Sequence, residues 1–248
     1  MPESVAQGTR VLGRMSGKAS LLYASAKAGG ILAVESPSEK TVAQLADLDP
    51  RVVRLKGQPF TIDVFTGAIY QCRDSLVYGR AARLKGEVKV REYTPDFLLE
   101  TIMGRSIVVE VKLEGFLGDE AYYEKLDKAK RILRLNGYDF LVVVRNRDPK
   151  DALTQNADLL TAFSQNYTGT PSSEVIEKGD DFLQQGPCRL GDVCQIMGLS
   201  LREAPFLVLR GVVETDLTLT RIGASSCVIR GFGNLNHLEV LRLHEAVS

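Results

Sequence analysis

Residues 139–146, DFLVVVRN, are apolar almost without interruption. A run this continuous predicts a buried strand rather than one with a wet face. The stretch before it, DEAYYEKLDKAKRILRLNGY (119–138), has Tyr122, Leu126, Ala129, Ile132 and Leu133 at helical spacing. It predicts an amphipathic helix with those residues facing inward and Gly137 as its C-terminal stop. Upstream, EVKVREYTPDFLLET (87–101) and SIVVEVKL (106–113) read as two antiparallel strands, with Ile102–Arg105 and its Gly104 as the hairpin turn. SPSEKTVAQLADLDP (36–50) has Ser36 as N-cap, Pro37 in the first turn, an apolar stripe of Val42, Leu45 and Leu48, and a stop at Asp49-Pro50. VVRLKGQPFTIDVF (52–65) reads as a strand bent at Gly57. Helix, strand, strand, strand, helix, strand is an α/β order.

The flanks are less regular. Residues 1–30 are rich in Ser, Gly, Ala, Lys and Arg and predict a mobile arm, with a short helix around Ser20–Ala28. Residues 66–86 have no clear pattern. Asn156–Phe163 looks helical, and 166–181 is rich in turn formers, which predicts a linker. Beyond it, RLGDVCQIMGLS (189–200), LREAPFLVLRGVVETDLT (201–218) and SCVIRGF (226–232) read as helix, turn, helix and two strands, a helix-turn-helix with a small wing. The expected division is therefore an arm (1–30), an α/β domain (31–165) and a small C-terminal domain (182–248).

Composition narrows the chemistry. With 44% apolar and 25% charged residues over 248 positions, the chain has a globular composition. No apolar run is long enough to span a membrane, and the N-terminus lacks a signal-peptide pattern. Cys72, Cys188, Cys194 and Cys227 form no CxxC pair and are expected to be reduced thiols in a cytoplasmic protein. His237 and His244 are the only histidines, so zinc fingers, zincin-type sites and His-dependent triads are not expected in the first 236 residues. The net charge of zero hides an asymmetry: residues 1–150 have 24 basic and 19 acidic side chains (+5), and residues 151–248 have 7 and 12 (−5). The basic part suits a polyanion, and the acidic part does not.

The chemistry concentrates in Tyr93-Thr94-Pro95-Asp96-Phe97 and, thirteen residues later, Glu110-Val111-Lys112. Alternation along a strand projects Glu110 and Lys112 from one face and sends Val109 and Val111 to the core. The turn near Gly104 returns Asp96 to their side. Two carboxylates offer hard oxygen ligands to Mg²⁺, which lowers the pKa of a bound water and neutralises charge at phosphorus. A lysine can orient that water or stabilise developing negative charge. A bare ExK is most often a solvated pair on a strand face; the PD on the preceding strand sets this one apart. Glu39, three residues after Ser36, completes an S-x-x-E capping box, and spacing alone favours the cap over a metal ligand.

TPDF…VEVK resembles the core of the PD-(D/E)xK nucleases. The ordered set SPSE (36–39), LDPRVVRLKGQPF (48–60), YTPDF (93–97), VEVK (109–112) and GYDFLVVV (137–144) resembles the TnsA family of transposon endonucleases. The resemblance implies a restriction-endonuclease-like mixed sheet flanked by helices, with a winged-helix-like C-terminal domain. It implies catalytic roles for Glu39, Asp96, Glu110 and Lys112, and a metal set of Glu39, Asp96, Glu110 and Val111. At Glu39 it reverses the preference for a cap alone. Gln58 matches a recurring Gln-Pro to which no chemistry is assigned. The implied cofactor is Mg²⁺, with Mn²⁺ as a substitute. The implied activity is nicking of transposon-end DNA at the 5′ ends, in a bacterial cytoplasm. A TnsB-like transposase subunit would cut the 3′ ends, and a TnsC-like AAA+ regulator would contact the C-terminal part. The alternatives are a free-standing restriction-type or junction-cleaving nuclease and a non-catalytic DNA-associated adaptor.

Overall fold

The computed structural model describes residues 6–7, 10–11, 20–81, 92–116, 118–166 and 172–247. They divide into two units: residues 1–47, 51–147 and 242–248 form one, and residues 48–50 and 148–241 the other. The first unit begins with the short strands β1 (Ala6–Gln7) and β2 (Arg10–Val11) and the hairpin β3 (Leu21–Ser25) and β4 (Gly30–Val34). It continues through α1 (Pro37–Leu48), β5 (Val52–Gly57), β6 (Thr61–Asp63), β7 (Ile69–Tyr70) and α2 (Arg73–Ala81). It closes with β8 (Glu92–Tyr93), β9 (Phe97–Thr101), β10 (Ser106–Leu113), α3 (Glu120–Leu135) and β11 (Asp139–Arg145).

The main sheet has the order β11-β10-β9-β5. β9 pairs antiparallel with β10 and β5, whereas β10 and β11 are parallel across the α3 crossover. The sheet is therefore mixed and helix-flanked, as expected. Gly104, at φ +74°, makes the β9–β10 turn, and its N–H donates to the Thr101 carbonyl at 2.9 Å. α3 buries Leu126, Ala129 and Leu133 in one core with Val108, Phe140 and Leu98 of the main sheet, Ile62 and Tyr93 of the smaller sheet β7-β6-β8, and Phe60 just before β6. These are three of the five residues whose spacing predicted an inward face; the other two, Tyr122 and Ile132, are partly buried against the same core.

Several elements differ from expectation. The run 139–146 is not buried throughout: β11 lies at the sheet edge, and Val144 is 52% exposed. Residues 242–247 cover part of that edge. Phe140 and Val247 exchange backbone hydrogen bonds at 2.9 and 3.1 Å, and Arg105 donates to the Leu243 and Ala246 carbonyls at 3.2 Å each while pairing with Asp139 at 2.7 Å. The segment 20–28 holds the strand β3 and a turn rather than a helix. Tyr23 and Ser25 donate to the Asp47 carboxylate at 2.5 and 2.8 Å, and these long-range bonds outweigh the helical composition. Residues 66–86 supply β7 and α2 up to Ala81, and residues 82–91 lie outside the described residues, as do 1–5, 8–9, 12–19 and 167–171. Part of the expected linker is the helix Ser173–Leu183.

The bend expected at Gly57 falls one residue later. Gln58 has φ +43°, and its N–H donates to the Asp96 carbonyl at 2.8 Å. The kink ends β5, and Pro59 then leads the chain into the second sheet. Gln58→Ala keeps the left-handed backbone and loses the amide; Gln58→Gly loses the amide but relieves the strain. The glycine variant is expected to melt about 2–4 °C above the alanine variant, for roughly 1 kcal/mol of strain. Equal melting temperatures in scanning calorimetry would contradict this account.

The second unit contains α4 (Ala152–Asn166), α5 (Ser173–Leu183), β12 (Cys188–Arg189), α6 (Leu190–Met197), α7 (Ala204–Leu209), β13 (Val213–Glu214) and β14 (Cys227–Arg230). Its sheet is antiparallel, in the order β12-β14-β13. Gly198, at φ +67°, ends α6 where the sequence predicts the turn, and the Leu199 N–H reaches back to the Cys194 carbonyl at 2.8 Å. Leu183, Leu190, Val193, Leu207, Val213 and Val228 are buried in this unit.

Candidate active site

β10 carries the site because β9 stops short of it. The ladder between them runs from Ser106 opposite Glu100 to Val109 opposite Phe97. One residue before Phe97 the chain bends, and the Asp96 side chain takes over from the missing strand: its Oδ2 accepts the Val111 N–H at 2.7 Å. Just upstream, the Thr94 hydroxyl meets that of Thr61 at 2.8 Å, which fixes the approach to Pro95-Asp96. Asp96 is thus bound to the strand that bears Glu110 and Lys112.

Glu110 is 5% exposed yet has three partners. Its Oε1 accepts from the Lys112 ammonium at 2.7 Å and the Tyr122 hydroxyl at 2.5 Å, and its Oε2 from the Tyr93 hydroxyl at 2.8 Å. Lys112 Nζ also lies 4.2 Å from the centre of the Tyr122 ring. Strand alternation accounts for Glu110 and Lys112 sharing a face. Val109 is fully buried, but Val111 is only half-buried, so the second valine is not the core residue that alternation predicts. A valine has one hard donor, its main-chain carbonyl.

Glu39 forms the predicted cap at the start of α1. Its N–H donates to Ser36 Oγ at 3.2 Å, its Oε1 accepts the Ser36 hydroxyl at 2.8 Å, and its Oε2 accepts the Glu35 N–H at 2.8 Å. The carboxylate reaches one residue further back than the usual capping box, which returns to the N-cap amide. Its charge also acts on Asp96 and is acted on by Glu110.

These carboxylates disturb one another's titration. Asp96 is pushed up to about 8, first by burial and then by the charges of Glu110 and Glu39; the Val111 amide and Lys112 oppose the rise. Burial also raises Glu39, and its hydrogen bonds to Glu35 and Ser36 hold it down. Burial, followed by the neighbouring carboxylate Glu110, lifts the Tyr93 and Tyr122 phenols, so both remain protonated donors. Excess negative charge in a partly dry site is what a bound cation would relieve.

Asp96, Glu110 and Lys112 are brought together as expected, and Glu39 is within electrostatic reach. Among the described residues, no three Asp, Glu, His or Cys side chains lie close enough to enclose a metal as they stand. Glu39 keeps both oxygens on its cap, and Asp96 gives one to Val111. The donors are all oxygens, the type that hard divalent cations prefer over thiolate-seeking metals. Sequence reasoning missed Tyr93 as a partner and took Tyr122 for core. The signal for both was a phenol on a buried face, whose hydroxyl must find an acceptor. Gln58 donates from Nε2 to the Glu35 carboxylate at 2.9 Å and is 7% exposed, so its side chain ties β5 to the residues before α1.

Residues 49–145 match a family model described as the TnsA-like endonuclease N-terminal domain. The match includes Gln58, Tyr93, Asp96, Glu110, Lys112 and Tyr122 and begins after Glu39. No curated protein matches the chain. No helix among the described residues is long and apolar enough to cross a membrane.

Proposed function

We propose that this chain, whose residues 49–145 are a TnsA-like endonuclease domain, is the Mg²⁺-dependent DNA-cutting subunit of a heteromeric transposase, nicking the 5′ ends of a transposable element. The observation that carries this reading is the convergence of Asp96, Glu110 and Lys112 at one end of β10. Asp96, Glu110 and the Val111 carbonyl would hold the cation, joined by Glu39 on turning from its cap; Mn²⁺ has the same oxygen preference. Once bound, the cation would activate a water and offset charge on the phosphate.

The protein's own part is positional and electrostatic. Lys112 has a side chain 21% exposed, so its ammonium is open to a phosphate oxygen from a seat held by Glu110 and Tyr122. There it stabilises the negative charge that develops as the phosphodiester is attacked. The sheet behind it, with Val108, Val109 and Leu99 buried, keeps the carboxylates in a low-dielectric setting, where such interactions are strengthened.

The second unit reads as a winged-helix-like docking module. α5, β12, α6, α7, β13 and β14, with β14 central, follow that motif's order. Its acidic balance disfavours DNA and favours protein partners, in this reading a TnsC-like AAA+ regulator, beside a TnsB-like transposase subunit. The site of action would be the bacterial cytoplasm.

The test is reconstitution. The full chain, combined with the transposase and AAA+ proteins encoded beside it, is given end-labelled DNA bearing the element's end. Cutting of the 5′ strand that requires added Mg²⁺ or Mn²⁺ is the expected result. No cutting by the assembled complex in either metal would reject the nuclease reading. Specific cutting by the chain alone would favour a free-standing nuclease.

A further inference from the structure

The geometry points to Tyr122 as a positioning residue of the metal site, its hydroxyl orienting Glu110 and its ring seating Lys112. The inference rests on the nuclease reading and adds a residue from α3, outside the strand motif. Tyr122 stands one turn into α3, where the Asp119 carboxylate caps the helix by accepting the Tyr122 N–H at 2.8 Å. The ring is anchored by its own backbone and partly buried against the core.

Two functions meet on this side chain. The phenol donates to Glu110 Oε1 at 2.5 Å while Tyr93 donates to Oε2 at 2.8 Å. A carboxylate gripped at both oxygens cannot rotate about its last torsion, and Oε2, with Tyr93 as its one donor, retains a lone pair for a cation. Without one donor, part of the metal's binding energy is spent on fixing the carboxylate. Outer partners of this kind typically contribute about 10- to 100-fold in metal affinity or activity. Lys112 Nζ lies 4.2 Å from the ring centre, close enough for the ring's negative face to attract the ammonium and hold it beside Glu110 rather than in solvent.

Two substitutions separate the roles. Tyr122→Phe keeps the ring and removes the hydroxyl; Tyr122→Leu removes both. The full chain is titrated with Mn²⁺ alone by isothermal calorimetry, and melting is recorded without metal. Tyr122→Phe is expected to weaken Mn²⁺ binding about tenfold with the melting temperature within about 2 °C of wild type. Its cleavage should recover towards the wild-type rate at saturating metal, whereas Tyr122→Leu should stay slow there because Lys112 has lost its seat. Wild-type Mn²⁺ affinity in Tyr122→Phe would overturn the positioning role, whether or not its melting temperature fell. Should Tyr122→Phe fail to fold, Tyr93→Phe, which removes the donor to the other oxygen, carries the same test with the same expected weakening. If the wild-type chain itself binds no Mn²⁺, the metal-site reading falls and the role of Tyr122 falls with it. Tight wild-type binding with equal affinity in the variants rejects the positioning role alone.

Discussion

Replacing Asp96 by asparagine is expected to abolish DNA cutting and, in the metal-free chain at pH 8, to raise the melting temperature by several degrees. The amide oxygen of asparagine can still accept the Val111 N–H, so the bend before β9 keeps its anchor. What is lost is a negative charge that burial, Glu110 and Glu39 all disfavour. The carboxyl titrates near 8 in the folded chain against about 3.9 when unfolded, so between those values the folded state retains a proton that the unfolded state releases. Stability from this group is complete below about pH 4 and is lost as pH rises towards 8. The advantage of the asparagine variant should therefore be largest at pH 8 and vanish near pH 4. Mg²⁺ should raise the melting temperature of the wild type and leave the variant nearly unmoved. Cutting should fall by about 10³-fold, as when a group that stabilises transition-state charge is removed. Calorimetry at the two pH values and cleavage of end-labelled DNA check both halves. A variant that cuts at the wild-type rate would remove Asp96 from the chemistry.

The second large effect separates the two roles of Glu39. Glu39→Gln keeps an oxygen for the Glu35 amide and an NH₂ for Ser36 Oγ, so the cap survives and the melting temperature should scarcely move. It cannot offer a charged oxygen to a hard cation, so most 5′ cutting should disappear. Glu39→Ala should lose cutting as well and lose about 0.5–1 kcal/mol of stability with the cap. Normal cutting by Glu39→Gln alongside simple destabilisation by Glu39→Ala would make Glu39 a cap and nothing more. Both oxygens are engaged by the cap in the metal-free arrangement, so a metal role requires the side chain to turn. The glutamine variant tests that turn directly.

Local patterns in the sequence are enough for the strand that carries Glu110 and Lys112, whereas the single strand expected over 87–101 is broken at 94–96, where Asp96 sits, into β8 and β9 of two different sheets. The period-two alternation of 106–113, the helical stripe of α3 and the Gly104 turn each lie within one element, and together they set the place of that strand. Features that depend on distant partners were not legible. The β3–β4 hairpin depends on Asp47, more than twenty residues from Tyr23, and its local composition favours a helix. Gln58 could be seen in the sequence, but the left-handed kink and the bond to Glu35 that explain it come from tertiary structure. Tyr122 was placed on the inward face of its helix correctly; only the structure reveals that inward there means towards Glu110. β11 was misjudged because five successive apolar residues suit an edge covered by a returning strip as well as a central position.

That strip bears on how the protein can be handled. The chain leaves β11 at Arg145, runs through the second unit, and returns at Arg242 to the same strand. A clone stopped before Arg242 would strip Arg105 of two acceptors and leave Phe140 without its backbone partner. The β11 edge, flanked by Val142, Val143 and Val144, would then be open to strand addition between copies. Poor solubility of such a clone would reflect a bared sheet edge rather than a misfolded first unit, and an affinity tag is better carried at the opposite end of the chain.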